Sequence, residues 1–390
     1  MYEPKLNPTR GMIIESGQPI TYKNIELVEQ ILKNHDEVIF CIGNAGNSNN
    51  KKAVMTAGER VELTDFVLQK KGFDPDRYLI IPIENHPDNY IWASDVRMLT
   101  PRWNTFVTRN FLNASIFMKG SNIHKYKIQT IDEQQPEIDY YELISKKSYI
   151  SSLVPKEALE KMDELGVLDR IEVIYNKKNL EEKRKTIPDT ALFLGGFQPF
   201  TGSYKEQTGH AGAAKQALSE HSKLVIAVGS GQISEQQKDP LTGGQRVEVI
   251  RYVLQSNGVF SGNFSLIPIK NIDSNFTYPA KIVEFCPGFK YIYSGNNYTQ
   301  KSYPKGYYEV VPLTRTEKTP ISASLIRNTA MDVLSKNRTT ETGFELGSPS
   351  NDALRNARNA ISSYMAKENL DICQELGFFD TMDFLSSAIK

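Results

Sequence analysis

Two short runs in the second half of the chain hold residue types suited to gripping anions. The first is Gly195-Gly196-Phe197-Gln198-Pro199-Phe200-Thr201, which follows an apolar burst and leads on to Thr208-Gly209-His210-Ala211. A glycine pair after a strand lets backbone N–H groups approach a phosphate, and a helix opening near Thr208 adds about half a positive charge at its N-terminus. His210, in that first turn, brings an imidazole beside the anion. The second run is Ile321-Ser322-Ala323-Ser324-Leu325-Ile326-Arg327. A helix starting near Ser322 would offer free N–H groups, two hydroxyls and a guanidinium to a second anion. Two such sites in one domain point to a triphosphate.

The elements that must position these runs follow from the apolar pattern. Met12 to Ile14, Val38 to Ile42, Tyr78 to Ile83 and Thr105 to Val107 read as short buried strands, as do Leu192 to Leu194, Leu224 to Val228, Phe264 to Ile269 and Tyr291 to Tyr293. Helices fall between them: Val28, Ile31 and Leu32 keep i, i+3, i+4 spacing, and Ala214, Ala217 and Leu218 repeat it with smaller side chains. Strand and helix in alternation predict an α/β fold with doubly wound, Rossmann-like parallel sheets, whose ligands sit beyond the carboxyl ends of the strands. A helical stretch around Lys156 to Glu164 and a last apolar burst, Ile171 to Tyr175, close the first half. Two helical segments are expected at the end of the chain.

The chain also repeats itself. Thr56-Ala-Gly-Glu-Arg-Val-Glu62 recurs as Thr242-Gly-Gly-Gln-Arg-Val-Glu248, an offset of 242 − 56 = 186 that also relates Ile81-Pro82-Ile83 to Ile267-Pro268-Ile269 and Asn89 to Asn275. Such constancy predicts two tandem copies of one domain. Gln18-Pro19 matches Gln198-Pro199 at an offset of 180 instead, so six residues, Thr201 to Glu206, are inserted in the second copy. They could tighten, gate or obstruct the phosphate path. The predicted layout is a first domain over 1–176, a charged, solvated linker over 177–190, a second domain over 191–335, and a loop with a helical C-terminal extension over 336–390.

Composition narrows the function classes. Forty-six basic residues balance 46 acidic ones, so no overall field draws the chain to nucleic acid or to an anionic membrane, and neither is expected as a partner. Cys41, Cys286 and Cys373 are far apart and odd in number, which argues against a disulfide framework or a thiolate zinc site and fits a reducing cytoplasm. No apolar run is long enough for a signal peptide or a membrane span. The expectation is a cytoplasmic protein with no metal ligands of its own.

GGFQPF followed by TGH and, far downstream, ISASLIR resembles the nucleotidylyltransferase superfamily. Within it, FQPF, the T-x-G-x-R-V-E segment, IPI with N-I-D-x-N, and S-G-N-N are most similar to archaeal-type nicotinamide mononucleotide adenylyltransferase. The resemblance implies attack by the phosphate of nicotinamide mononucleotide (NMN) on the α-phosphorus of ATP, giving NAD and pyrophosphate, with magnesium accompanying ATP. It implies His210, Arg327 and Thr201 as the catalytic set, with Thr201 where the family often has its first His. Gly195, Gly196, Phe197, Gly209, Ser322, Ser324 and Arg327 would hold the ATP phosphates, and Asn275, Phe276 and Tyr278 would face the nicotinamide. Gly196 stands where an Arg is often found, and Lys205 in the insertion is a candidate replacement. Transfer to another phosphate acceptor, a cytidylyl transfer, or a nucleotide-binding protein without turnover are the competing readings.

The first copy departs further. Glu15-Ser16 replaces the glycine pair, Asn24 stands where His210 does, and Ile144-Ser145-Lys146-Lys147-Ser148-Tyr149-Ile150 puts Ile150 at the Arg327 position, while Trp92 keeps a nicotinamide-side aromatic. Asn24 can donate a hydrogen bond but carries no charge, and Glu15 repels phosphate. The first copy is therefore expected to be degenerate and non-catalytic. It would serve as a packing partner in an internal pseudo-dimer or as a residual nucleotide-binding module, in which Lys146 and Lys147 could still meet an anion; a homo-oligomer is also open.

Overall fold

A computed structural model describes residues 3–131, 151–176, 184–186, 188–272, 277–295, 297–304, 306–313, 321–338 and 350–387. The first half runs β1 (Arg10–Glu15), α1 (Tyr22–Leu32), β2 (Glu37–Ile42), α2 (Ala57–Lys70), β3 (Tyr78–Pro82), α3 (Asn89–Leu99), β4 (Thr105–Thr108), α4 (Phe111–His124) and β5 (Lys127–Thr130), then α5 (Lys156–Glu164) and α6 (Val167–Asn176). The second half repeats the order: β6 (Thr190–Gly195), α7 (Gly209–Glu220), β7 (Lys223–Val228), α8 (Gly243–Ser256), β8 (Phe264–Pro268), α9 (Tyr278–Phe285), β9 (Tyr291–Ser294), α10 (Asn297–Ser302), β10 (Glu309–Pro312) and α11 (Ala323–Arg338). Helices α12 (Asn351–Ile361), α13 (Lys367–Glu375) and α14 (Phe378–Ser387) follow.

Each half forms a five-stranded parallel sheet, in the orders β3-β2-β1-β4-β5 and β8-β7-β6-β9-β10. This is the doubly wound order, with its switch point between β1 and β4 and between β6 and β9. The central strands are largely buried, β2 at every residue. The edge strands β5 and β10 are short and largely exposed, and their lack of an apolar run hides them from the sequence pattern.

Three expectations are refined. The apolar burst Ile171 to Tyr175, whose element type the sequence pattern leaves open, is part of α6, because Val167, Ile171 and Ile174 recur at helical spacing and the first two are fully buried. The chain ends on three helices rather than two, since Gly377, at φ +72°, interrupts what would be one long helix. The charged linker is more than solvated: Arg184 donates to both carboxylate oxygens of Glu62, at 2.9 and 2.5 Å, and Lys185 pairs with Asp163 at 2.6 Å. The first copy's terminal motif, with Lys146, Lys147 and Ile150, lies outside the described residues.

The recurring Thr-x-Gly-x-Arg-Val-Glu segment is explained residue by residue. Thr56 and Thr242 cap α2 and α8, each in a capping box with Glu59 or Gln245. Gly58 and Gly244 let each helix touch the other domain: a Cβ would fall 1.8 Å from the Cys286 oxygen and 1.7 Å from the Thr100 oxygen. Val61 and Val247 are core. Glu62 and Glu248 take interdomain backbone N–H groups from Gly288 (3.3 Å) and Arg102 (3.4 Å). Since Gly288 and Arg102 also differ by 186, the two domains pack about a pseudo-twofold axis.

Charge crosses that axis in inverted pairs. Lys223 meets Asp65 at 2.8 Å, while the equivalent positions are Glu37 and Arg251 at 3.8 Å. Lys270 meets Asp95 at 2.7 Å, while its counterpart is Glu84 with Lys281 at 2.9 Å. Glu37 also accepts from Arg10 at 2.8 Å, and Arg10 reaches Glu248 at 2.8 Å. Glu37, Arg10 and Arg251 are all at most 4% exposed. Removing a carboxylate shared by buried guanidiniums costs about 3–5 kcal/mol. Glu37→Ala should therefore lose stability of that order in urea unfolding followed by circular dichroism.

Candidate active site

The first anion-gripping run lies at the carboxyl end of β6, beside the switch point. Gly195 leaves room for Phe197, whose ring would lie 2.8 Å from a Cβ there, and Phe197 itself adopts φ +50° with its ring buried. The turn's carbonyls are gathered by Arg246. Its guanidinium donates to Gly196 O at 2.8 Å, Gly229 O at 2.6 Å and Ser230 O at 2.8 Å, so the loops after β6 and β7 share one buried cation. Burial pulls the Arg246 pKa down to about 10, the nearby Asp239 charge opposing the shift. Arg60 does the same in the first domain, reaching Ser16 O at 3.1 Å, Gly43 O at 2.9 Å and Asn44 O at 3.1 Å. Sequence reasoning assigned Arg246 no role; its recurrence on an otherwise apolar helix face was the available signal.

His210 sits in the first turn of α7. The Thr201 N–H donates to its Nδ1 at 3.1 Å, and the Thr201 hydroxyl lies 3.0 Å from the same atom. A nitrogen that accepts from a backbone N–H holds no proton, so the imidazole proton resides on Nε2, which becomes a donor. Phe200 stacks on the ring at 5.8 Å and Phe197 meets it edge-on at 5.1 Å. Thr201 is completely buried, which makes it a positioning group for the imidazole. Gly209, at φ +58°, passes so close to Thr201 that a Cβ would lie 2.8 Å from its hydroxyl.

The second run meets the first. Ser322 caps α11, accepting the Leu325 N–H at 3.2 Å. Arg327 donates to Gln198 O at 2.5 Å and to the Ser324 hydroxyl at 3.3 Å. Burial lowers the Arg327 pKa, against the pull of Asp239. Tyr278 joins Gly195 and Gly196 in lining a cleft of about 280 Å³, together with Ser230, Asn271 and Tyr303. Burial raises the Tyr278 hydroxyl to about 12, its charged neighbour Arg246 opposing. Asn275 and Phe276 lie outside the described residues.

The contacts of Thr201 match those of Thr21, so the six extra residues are Gly202 to Gln207 rather than Thr201 to Glu206; this inserted turn does not line that cleft and leans on the C-terminal helices. The Gly202 N–H donates to Tyr364 O at 3.1 Å, the Ala366 N–H returns to Gly202 O at 3.2 Å, and the Asn369 amide, fully buried, donates to Phe200 O at 3.1 Å and Gly202 O at 3.3 Å. Lys205 is exposed at the tip. A C-terminal extension that sequence reasoning left without a role therefore braces the segment that holds His210.

The first domain reproduces this junction with one element replaced. The Thr21 N–H and hydroxyl both donate to Asn24 Oδ1 at 2.9 Å, as Thr201 engages His210 Nδ1. Asn24 keeps an amide donor, Nδ2, but it is buried and has no partner among the described residues, and unlike an imidazole it cannot become a cation. Glu15, in the glycine's place, pairs with Arg109 at 2.9 Å.

Two outcomes follow from these contacts. Arg246→Lys offers a point charge in place of a planar fork and strands buried carbonyls, each at about 1–3 kcal/mol; calorimetric or urea unfolding should record a loss of at least that size. Asn369→Ala should speed hydrogen exchange at the Gly202 and Thr208 amides, read by mass spectrometry, while amides in β7 keep their protection.

The cytidylyltransferase-like family matches residues 17–152 and 192–329, one segment in each domain. Among curated proteins, the chain is 33% identical over 141 residues to a nicotinamide-nucleotide adenylyltransferase of Pyrobaculum neutrophilum, covering 36% of this chain and 76% of that protein. It is 29% identical over 183 residues to the enzyme of that name from Pyrococcus horikoshii, covering 46% of this chain and 96% of that protein. With both segments matched and the Arg60 and Arg246 junctions repeated, the chain belongs to the cytidylyltransferase-like family of nucleotidyltransferases, as a tandem pair of its domains.

Proposed function

We propose that the second domain transfers the adenylyl group of ATP to NMN, giving NAD and pyrophosphate. An oxygen of the NMN phosphate bonds to the α-phosphorus while the bond from that phosphorus to the bridging oxygen breaks, and pyrophosphate leaves with the electron pair. The reaction needs no covalent enzyme intermediate, so positioning and charge neutralisation carry the catalysis. The observation that bears most on this reading is the Thr201 contact, which leaves His210 presenting an Nε2–H donor at a helix N-terminus next to a glycine turn. Such a donor, held before the charge develops, favours the transition state over the ground state.

Gly195, Gly196, Phe197 and Gly209 shape the path of the phosphates, and Ser322, Ser324 and Arg327 receive their far end. ATP enters as its magnesium complex. The loops offer N–H groups, hydroxyls and guanidinium, and among the described residues no group of three or more His, Cys, Asp or Glu side chains gathers to hold a metal; a magnesium ion carried on the phosphates suits that donor set. Tyr278, with Asn275 and Phe276, takes the nicotinamide side, where an electron-rich ring suits a pyridinium. The first domain, with Asn24 and Glu15 in the critical places, does not turn over.

Pyrophosphate release from ATP and NMN is the decisive assay. His210→Ala should lower kcat about a hundredfold to a thousandfold, the loss typical of one transition-state donor, with KM for ATP nearly unchanged. An unaltered kcat would remove His210 from the mechanism. Release with another acceptor but none with NMN would overturn the substrate assignment.

A further inference from the structure

The first domain keeps a cleft at the place where the second has its candidate site. It measures about 890 Å³, against about 280 Å³ for its counterpart. Its walls correspond position by position: Gly43 to Gly229, Asn44 to Ser230, Asn85 to Asn271 and Trp92 to Tyr278. Arg60 holds its floor as Arg246 holds the other. A loop scaffold tied by a buried guanidinium has therefore been retained around an open cavity in which Glu15 and Asn24 stand where the second domain has Gly195 and His210.

What remains is chemically specific. Glu15 occupies the phosphate turn, with its charge matched by Arg109. The helix N-termini facing the cleft are already satisfied: Asp88 accepts the Tyr90 and Ile91 N–H groups at 2.7 and 3.1 Å, and Asn110 accepts those of Leu112 and Asn113 at 2.9 and 3.1 Å. Those four N–H groups are not available to a polyphosphate. By contrast, two lining residues, Trp92 and Arg109, carry buried donors, Nε1 and Nε, with no hydrogen-bond partner among the described residues; each side chain is at most 9% exposed. Phe111 and Leu112 on the rim are 68% and 58% exposed, a flat apolar surface left to water. The amides of Asn44, Asn85 and Asn89 add donors and acceptors suited to hydroxyls or to a heterocycle's edge.

We propose that this cleft is a second ligand site, which takes a nucleoside without its phosphate chain. The heterocycle covers Phe111, and the ribose hydroxyls meet the asparagine amides. The site is independent of turnover in the second domain.

The chain has two tryptophans, Trp92 and Trp103, both in the first domain. Full-length Trp103→Phe protein therefore reports on this cleft alone through Trp92 emission. Adenosine and nicotinamide riboside are the probes, with inorganic tripolyphosphate as the contrast. A saturable emission change with either nucleoside, at least tenfold weaker in an Asn85→Ala/Asn89→Ala variant and absent with tripolyphosphate, is the expected result. No saturable change with either nucleoside, an unaltered one in the double variant, or an equal response to tripolyphosphate overturns the proposal.

Discussion

A guanidinium can be buried only where oxygen acceptors receive its protons, and this chain twice meets that constraint with the same three carbonyls from two loops. Arg246 joins Gly196, Gly229 and Ser230; Arg60 joins Ser16, Gly43 and Asn44. Each cation costs desolvation, seen in the lowered pKa of Arg246, and the carbonyls that offset it must stay where they are. Parallel strands end freely and their loops tend to wander. Here the turn after the first strand is locked to the turn after the second, so a glycine-rich segment holds its shape before any ligand arrives.

The remaining contacts build outward from that lock. The Gln198 side chain exchanges two hydrogen bonds with the Leu241 backbone, and its carbonyl takes Arg327. Three residues on, Thr201 orients His210, and the C-terminal helices brace Gly202. In the first domain the same path is followed as far as Thr21 and Asn24 and then stops. Loss of the imidazole and arrival of Glu15 changed the chemistry of the turn without disturbing the backbone under it, because Arg60 bonds to main-chain oxygens and is indifferent to the side chains above.

Much of this was legible in the residues. Buried parallel strands announce themselves as β-branched runs, and the 186-residue offset exposed the duplication, so two parallel sheets and the location of the glycine turn followed from pattern alone. What escaped notice depended on contacts between distant segments. Val167 to Tyr175 holds apolar residues dense enough to mimic a strand, and only packing shows it as a helix. β5 and β10 are edge strands whose exposed residues lack alternation. Arg246 and Asn369 are polar, and single-sequence reading assigns polar residues to the surface, yet both are fully buried against carbonyls. Within the candidate site, His210 and Arg327 could be named because their types suggest anions, whereas Thr201's orienting contact required its distance from Nδ1.

The inverted charges across the pseudo-twofold axis have a bearing on how the duplicated chain came to be exclusive. Were two first halves to associate in the arrangement seen here, Glu37 would face Asp65 and Glu84 would face Asp95; two second halves would set Lys223 against Arg251 and Lys270 against Lys281. Either twin would meet like sign at each of these contacts, and like charges brought together at an interface suppress the wrong pairing. Only the mixed association satisfies all four. Separating the halves into independent chains would thus yield obligate mates rather than two self-sufficient dimers.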